Sequence, residues 1–212
     1  MPLKIIQGNI LSNFEELLIL GEADASKLIQ SPIHISNSKI IQALQNLECD
    51  KSTLLGSAFL YSFGLAKKGG KASEIIVCTD GIANIGLGSV GSDNPQEIEN
   101  SRQFYIKVGN LAKECGVKVS LLSIVDLECK LEMLSPIVDL TGGIIRRVNP
   151  LALDLAFNEI LKDPLVATEV KYESHIQHFF EFSKNSTGQL FNENSNLMVE
   201  IGNISKNSTY TH

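Results

Sequence analysis

The chain has 212 residues, of which 43% are hydrophobic and 20% charged, with a formal net charge of −6. This length and composition fit a folded chain with one main domain and an appendage, and argue against disorder. The acidic balance, with basic pairs no longer than Lys67-Lys68 and Arg146-Arg147, leaves no footprint for DNA, RNA or anionic lipid.

Met1-Pro2-Leu3-Lys4 does not begin a secretory leader, and no apolar run approaches the ~18–20 residues of a membrane span, so a cytoplasmic protein is expected. Cys49, Cys78, Cys115 and Cys129 are widely spaced, which points to free thiols rather than disulfides or zinc. Ser12 with Glu15 forms a capping box ahead of Phe14, Leu17 and Leu18, and Gly21 supplies a stop, which predicts a short helix over 13–20. Ile40, Ile41, Leu44 and Leu47 have helical spacing after Ser36 or Ser38. Leu54, Leu55, Ala58, Phe59, Phe63 and Ala66 mark a third helix ending at Gly69-Gly70.

The period then changes. Ile75 to Cys78 form a short apolar run before Thr79-Asp80-Gly81, expected as a strand buried on both faces of a parallel sheet. Asn94-Pro95 opens a helix closed by Gly116, and a second buried strand spans Val117 to Val125. Leu131, Leu134, Ile137 and Val138 mark a helix ending at Thr141-Gly142-Gly143, followed by a strand at Ile144 to Val148. A last helix, started by Asn149-Pro150, runs to about Asp163. This alternation predicts an α/β domain over 1–163 with a mainly parallel sheet between helices. Beyond Pro164, the segments Val166 to Tyr172, Ile176 to Phe182 and Leu197 to Ile204 read as strands, so 164–212 is expected to be part of a β-sandwich.

Four segments in order, Ser52-Thr53-Leu54-Leu55-Gly56-Ser57-Ala58, Glu74 to Gly81, Cys115-Gly116-Val117-Lys118-Val119 and Leu134 to Gly143, resemble the landmarks of a von Willebrand factor A-type (vWA) domain across roughly 37–148. Asn149 to Val170 and Gly202-Asn203-Ile204 are similar to the trunk and adjoining β-sandwich of COPII inner-coat subunits. They are also similar to protist proteins that join such a domain to a circularly permuted Ras-like GTPase. The resemblance implies a Rossmann-like three-layer fold, incomplete at its N-terminus. It also implies a non-catalytic intracellular protein-interaction module, a scaffold in a vesicle coat or GTPase-linked assembly. It would assign Thr53 and Asp80 as metal ligands left from a magnesium site.

The site's first loop, Asp-x-Ser-x-Ser, is absent: Asp24-Ala25-Ser26-Lys27-Leu28 and Asp50-Lys51-Ser52-Thr53-Leu54 both lack the final serine. Magnesium wants several oxygens in near-octahedral array, so no cofactor is expected unless upstream sequence completes the site. Thr53 and Ser52 have a simpler role as caps of a helix beginning at Leu54, and Asp80 as the start of a turn with Gly81. His175-x-x-His178 would point to opposite faces of a strand, unlike metal ligands.

The alternative is a nucleotide-binding enzyme using Gly86-Leu87-Gly88-Ser89-Val90-Gly91, which matches G-x-G-x-x-G. Against it, Thr79 to Ile85 intervene after the strand, and Asp126 lies 35 positions after Gly91 where ~20 is expected. A flexible surface loop accounts for the glycines better. The sequence contains no G-x-S-x-G elbow and no G-x-x-x-x-G-K-[ST] phosphate loop. Protein partners are therefore expected at the loops beyond the strands' carboxyl ends, through Gly81, Asn84, Gly86, Gly88 and Gly91 beside Thr53, Asp80 and Asp126. A sheet without its first strand would also leave the Ile75 to Thr79 strand as an open edge prone to self-association.

Overall fold

The computed structural model describes residues 6–28, 32–47, 52–80, 82–124, 131–177, 179–183, 188–191 and 195–210. Helices α1 (Phe14–Leu28), α2 (Ile33–Gln45) and α3 (Leu55–Gly69) come first, and β1 (Glu74–Thr79), α4 (Pro95–Glu114), β2 (Lys118–Ile124), α5 (Leu131–Thr141), β3 (Ile145–Val148) and α6 (Leu153–Leu161) follow. Strands β4 (Leu165–His175), β5 (Gln189–Phe191) and β6 (Asn196–Ser205) complete the described chain. The α/β expectation is met by a three-stranded parallel sheet in the order β1-β2-β3, and a separate antiparallel sheet has the order β4-β6-β5.

Local chemistry sets several helix ends. The Asn94 side chain accepts from the Gln96 N–H at 2.9 Å and Pro95 takes the first helical position, where its missing N–H costs nothing. Asn149 and Pro150 repeat the device after β3, at the short 3-10 turn that precedes α6. Pro136 lies inside α5, and the Glu132 carbonyl that its missing N–H would have satisfied accepts from the Ser135 hydroxyl at 3.3 Å instead.

Tertiary contacts override the local signals elsewhere. Gly21 does not stop α1 but lies in its interior, and a Cβ built there would fall 2.3 Å from the Tyr61 carbonyl oxygen and 3.0 Å from the Gly64 Cα. Two glycines thus let α1 and α3 touch at backbone distance, and continuing the helix past Gly21 buries Asp24 and Ala25. The cap of α1 is Asn13 rather than Ser12, its side chain accepting from Glu16 N–H at 3.3 Å. Helix α2 begins after Pro32, ahead of both serines expected to cap it, and Ile33, Ile40, Ile41 and Leu44 are exposed.

The core lies between the parallel sheet and its helices. Leu60, Phe63, Tyr105, Val108, Val119, Leu121, Ile137 and Val138 fill one side, and Leu122, Val148, Ala156 and Ile160 pack under α6 on the other. Strand β2 is central, buried from Lys118 to Ser123. Strand β1 departs from the two-faced burial expected of it: Ile75, Ile76 and Val77 are half-buried and Cys78 is exposed, because β1 is an outer strand with one described neighbour. The strand expected over Ile176 to Phe182 is absent among the described residues; β4 ends at His175 and the partner beyond β6 is the short β5.

The two sheets are joined through a buried ammonium. Lys118, fully buried, donates from Nζ to the Asp163 carbonyl oxygen at 2.6 Å and lies 3.3 Å from the Glu74 carboxylate. The Asp163 carboxylate accepts from the Ser205 hydroxyl at 2.7 Å and the Asn207 N–H at 2.9 Å, which ties the end of α6 to the end of β6. Desolvation pushes the Asp163 carboxyl up, but Ser205, Asn207 and the Lys118 charge outweigh it and hold its pKa below the ordinary carboxylate range. A group depressed in this way stabilises the fold above its unfolded pKa of ~3.9, and the contribution is lost as pH falls through the folded value. Asp163→Asn is therefore expected to cost about 2 kcal/mol at neutral pH. Urea unfolding followed from neutral pH to below pH ~3.9 should show wild-type stability falling towards that of the variant, whose own profile is flatter.

Candidate functional site

The loops at the carboxyl end of β1 gather the residues singled out in the sequence. Asp80 is exposed there, Thr53 is half-buried at the entry to α3, and Asn84 is exposed four residues after Asp80. Thr53 and Asn84 clasp each other: the Thr53 N–H donates to Asn84 Oδ1 at 2.8 Å, and the Asn84 N–H donates to the Thr53 carbonyl at 3.2 Å. The cap position of α3 falls on Leu54, with no side-chain hydrogen bond, so neither Ser52 nor Thr53 caps that helix. Gly81 and Asp126 lie outside the described residues, as do Cys49, Cys129 and His178. Among the described residues no group of three or more His, Cys, Asp or Glu side chains converges as a metal site would require.

The glycine loop is packed rather than flexible. Ala83 and Val90 bury their side chains, and the Val90 N–H returns to the Ala83 carbonyl at 2.7 Å. The buried Tyr105 hydroxyl donates to the Gly88 carbonyl at 2.9 Å, and Ser101 donates to the Ser89 carbonyl. Burial pushes the Tyr105 pKa up, so the phenol remains a donor at any physiological pH. Gly88 has φ +66°, and a Cβ there would meet the Phe104 ring at 2.6 Å. Across the interface, a Cβ on Gly56 would lie 1.9 Å from the Leu87 carbonyl oxygen. Gly91 meets only ordinary van der Waals contacts. The loop thus caps the core between α3 and α4 and presents Asn84 and Ile85, the latter 42% exposed, at its outer surface.

These anchors were only partly visible beforehand. Asn84 is among the expected interaction residues, but its clasp with Thr53 is a contact across 31 positions of sequence. Tyr105 and Ser101 sit on α4 with no local mark of a loop-holding role. Lys118 carried one signal, a charge at the start of an otherwise apolar strand.

An α/β unit with a three-stranded parallel sheet, followed by a separate antiparallel sheet, is the class these contacts define. No known family profile matches the chain. It is similar to circularly permutated Ras protein 1 of Dictyostelium discoideum, with 28% identity over 186 residues, which is 87% of this chain and 21% of that protein. The chain therefore spans about a fifth of the relative's length. Among the described residues no helix is long and apolar enough to cross a membrane.

The packing makes one residue decisive for the loop. Gly56→Ala forces Leu87 away from α3 and is expected to destabilise the fold by about 1–3 kcal/mol, the usual cost of overpacking. Gly91→Ala, which meets no obstacle, serves as the comparison. Urea denaturation together with hydrogen exchange at residues 86–90 reads both effects, and equal stability of the two variants would contradict the packing described.

Proposed function

We propose that this chain is a non-catalytic protein-interaction module of the vWA type, acting as a scaffold in a vesicle-coat or GTPase-linked assembly in the cytoplasm. The observation that carries the reading is the closed state of the described loop between β1 and α4, at the sheet's carboxyl end. That edge is where α/β proteins meet their ligands, and phosphate groups are held there by free backbone N–H groups at a glycine turn and helix start. Here the Ser89 and Val90 N–H groups bond within the loop, the Asn94 side chain occupies the Gln96 N–H, and Pro95 has none to give. What remains outward is a set of short side chains, Asp80, Asn84 and Ile85, on a rigidly packed support. Such a surface suits a protein partner better than a dinucleotide.

The relative's name supports the GTPase-linked part of the proposal. The chain contains no G-x-x-x-x-G-K-[ST] loop, so its likeness to a Ras protein fits a segment working beside a GTPase better than the GTPase itself. Thr53 and Asp80 then stand as a reduced metal site, with too few oxygens for magnesium unless an Asp-x-Ser-x-Ser segment is supplied from elsewhere.

Two measurements test the proposal. Thermal melts with GTP, NADPH and Mg²⁺ are expected to show no saturable rise in Tm, and a saturable rise with either nucleotide would overturn the interaction-module reading. Proteins retained on the immobilised chain from cell extract should be lost with Asp80→Lys combined with Ile85→Glu, while circular dichroism stays unchanged. Retention equal to wild type would remove the partner from this edge.

A further inference from the structure

The four outer strands of the two described sheets are not guarded alike. Strand β3 is short and carries Arg146 and Arg147; β5 has three residues; β4 has register shifts between Leu165 and Lys171 and exposed charges at Glu169 and Lys171. These features are the usual defences of sheet edges. Strand β1 has none of them. Its register with β2 runs without a shift from Glu74 to Thr79, it contains no proline or lysine, and its one charged side chain, Glu74, is held by Lys118 and Ser120.

The ladder determines which groups face outward. Lys118 N–H donates to the Ser73 carbonyl, and in a parallel pair the bonding residues then alternate, so Ser73, Ile75, Val77 and Thr79 face β2. The N–H and C=O groups of Glu74, Ile76 and Cys78 consequently point away from the sheet. Beside this edge α3 overhangs a trough of about 510 Å³, walled by Ser62, Leu65, Ala66 and Gly69. A strand laid along β1 would find backbone partners at one side and a helix surface of small side chains above it.

We propose that β1 pairs antiparallel with β1 of a second copy about a twofold axis at Ile76, joining the two parallel sheets into one continuous sheet. The edge is self-complementary in this register alone: Ile76 faces Ile76 of the other copy and Glu74 faces Cys78. Every outward N–H and C=O of the three residues then gains a partner, because hydrogen-bonded pairs recur at every second residue of an antiparallel ladder. The charges agree with the same register. The two Glu74 side chains lie four residues apart along the strands, roughly 13 Å. Asp80 of each copy reaches the end of the strand where the other copy's Lys71 lies, just beyond the Lys67-Lys68 terminus of α3. An isologous contact of this kind closes at two copies.

Sedimentation velocity of the full chain under reducing conditions, over roughly 1–100 µM, tests the proposal. The expected result is a reversible, concentration-dependent doubling of mass and no larger species. Cys78→Pro removes one outward N–H without touching the bonds to β2, and Cys78→Glu sets a carboxylate opposite Glu74 of the other copy. Both variants should sediment as monomers with unchanged circular dichroism, whereas Cys78→Ser should still dimerise. A monomer at every concentration, a polymer, or a dimer that persists in both Cys78→Pro and Cys78→Glu would overturn the proposal. Because Ile85→Glu alone alters the loop surface and leaves both the β1 edge and Asp80 in place, loss of partner binding at the loops and loss of dimerisation are separable outcomes.

Discussion

The arrangement of this protein rests on the ammonium of Lys118, which is withdrawn entirely from water at the seam of two sheets. Removing such a group from solvent costs several kcal/mol, so the structure is stable only where its donors are satisfied and a countercharge is near. The Asp163 carbonyl and carboxylate and the Glu74 carboxylate meet that demand, and the two residues belong to different parts of the fold. Glu74 begins β1, Asp163 follows α6, and Asp163 in turn holds Ser205 and Asn207 at the end of β6. One buried charge therefore specifies how the antiparallel sheet sits against the parallel one. The remaining ties at the seam are weaker: Asn203 donates to the Thr141 carbonyl at 3.2 Å, and Lys71 forms an exposed ion pair with Glu169.

A second constraint is close backbone approach. Gly21 against Gly64 brings α1 onto α3, and Gly56 against Leu87 brings the loop after β1 onto the same helix. Helix α3 is thus clamped on two sides by contacts that tolerate no Cβ, and the loop it supports is positioned by the core. Phe104, packed edge-on against both Phe14 and Tyr105, joins the two clamps, since Tyr105 holds the loop and Phe14 begins α1. The outward residues of that loop are consequently displayed from a fixed platform, the condition under which a short surface patch can recognise a protein partner.

Much of the secondary structure was legible in the residues because its causes are local. The change of period from 3.6 at Leu54 to Ala66 to a continuous apolar run at Ile75 to Cys78, the Asn94-Pro95 and Asn149-Pro150 starts, and the Gly69-Gly70 and Gly116 ends act within a few positions. They place α3, β1, α4, β2, α5, β3 and α6 close to their observed bounds. The same local character explains the errors: Gly21 has the chemistry of a helix stop, and only Gly64, 43 positions later, makes it a contact point. Thr53 has the chemistry of a cap, and only Asn84 turns its backbone to another purpose.

By itself the sequence determined the alternation of helices and strands, the Asn94-Pro95 and Asn149-Pro150 starts and the lack of a phosphate-loop motif, all set by neighbouring residues. The resemblance had already put Ile75 to Thr79 at an open edge, and the tertiary structure decided how far that strand is exposed, because periodicity records that a strand is apolar but not how many neighbours it has. It decided that Gly86 and Gly88 are packed and Gly91 is not, since glycine in sequence does not distinguish freedom from close contact. And it decided the role of Lys118, because the partners that make a buried charge tolerable come from β1 and from the end of α6, which only folding brings together.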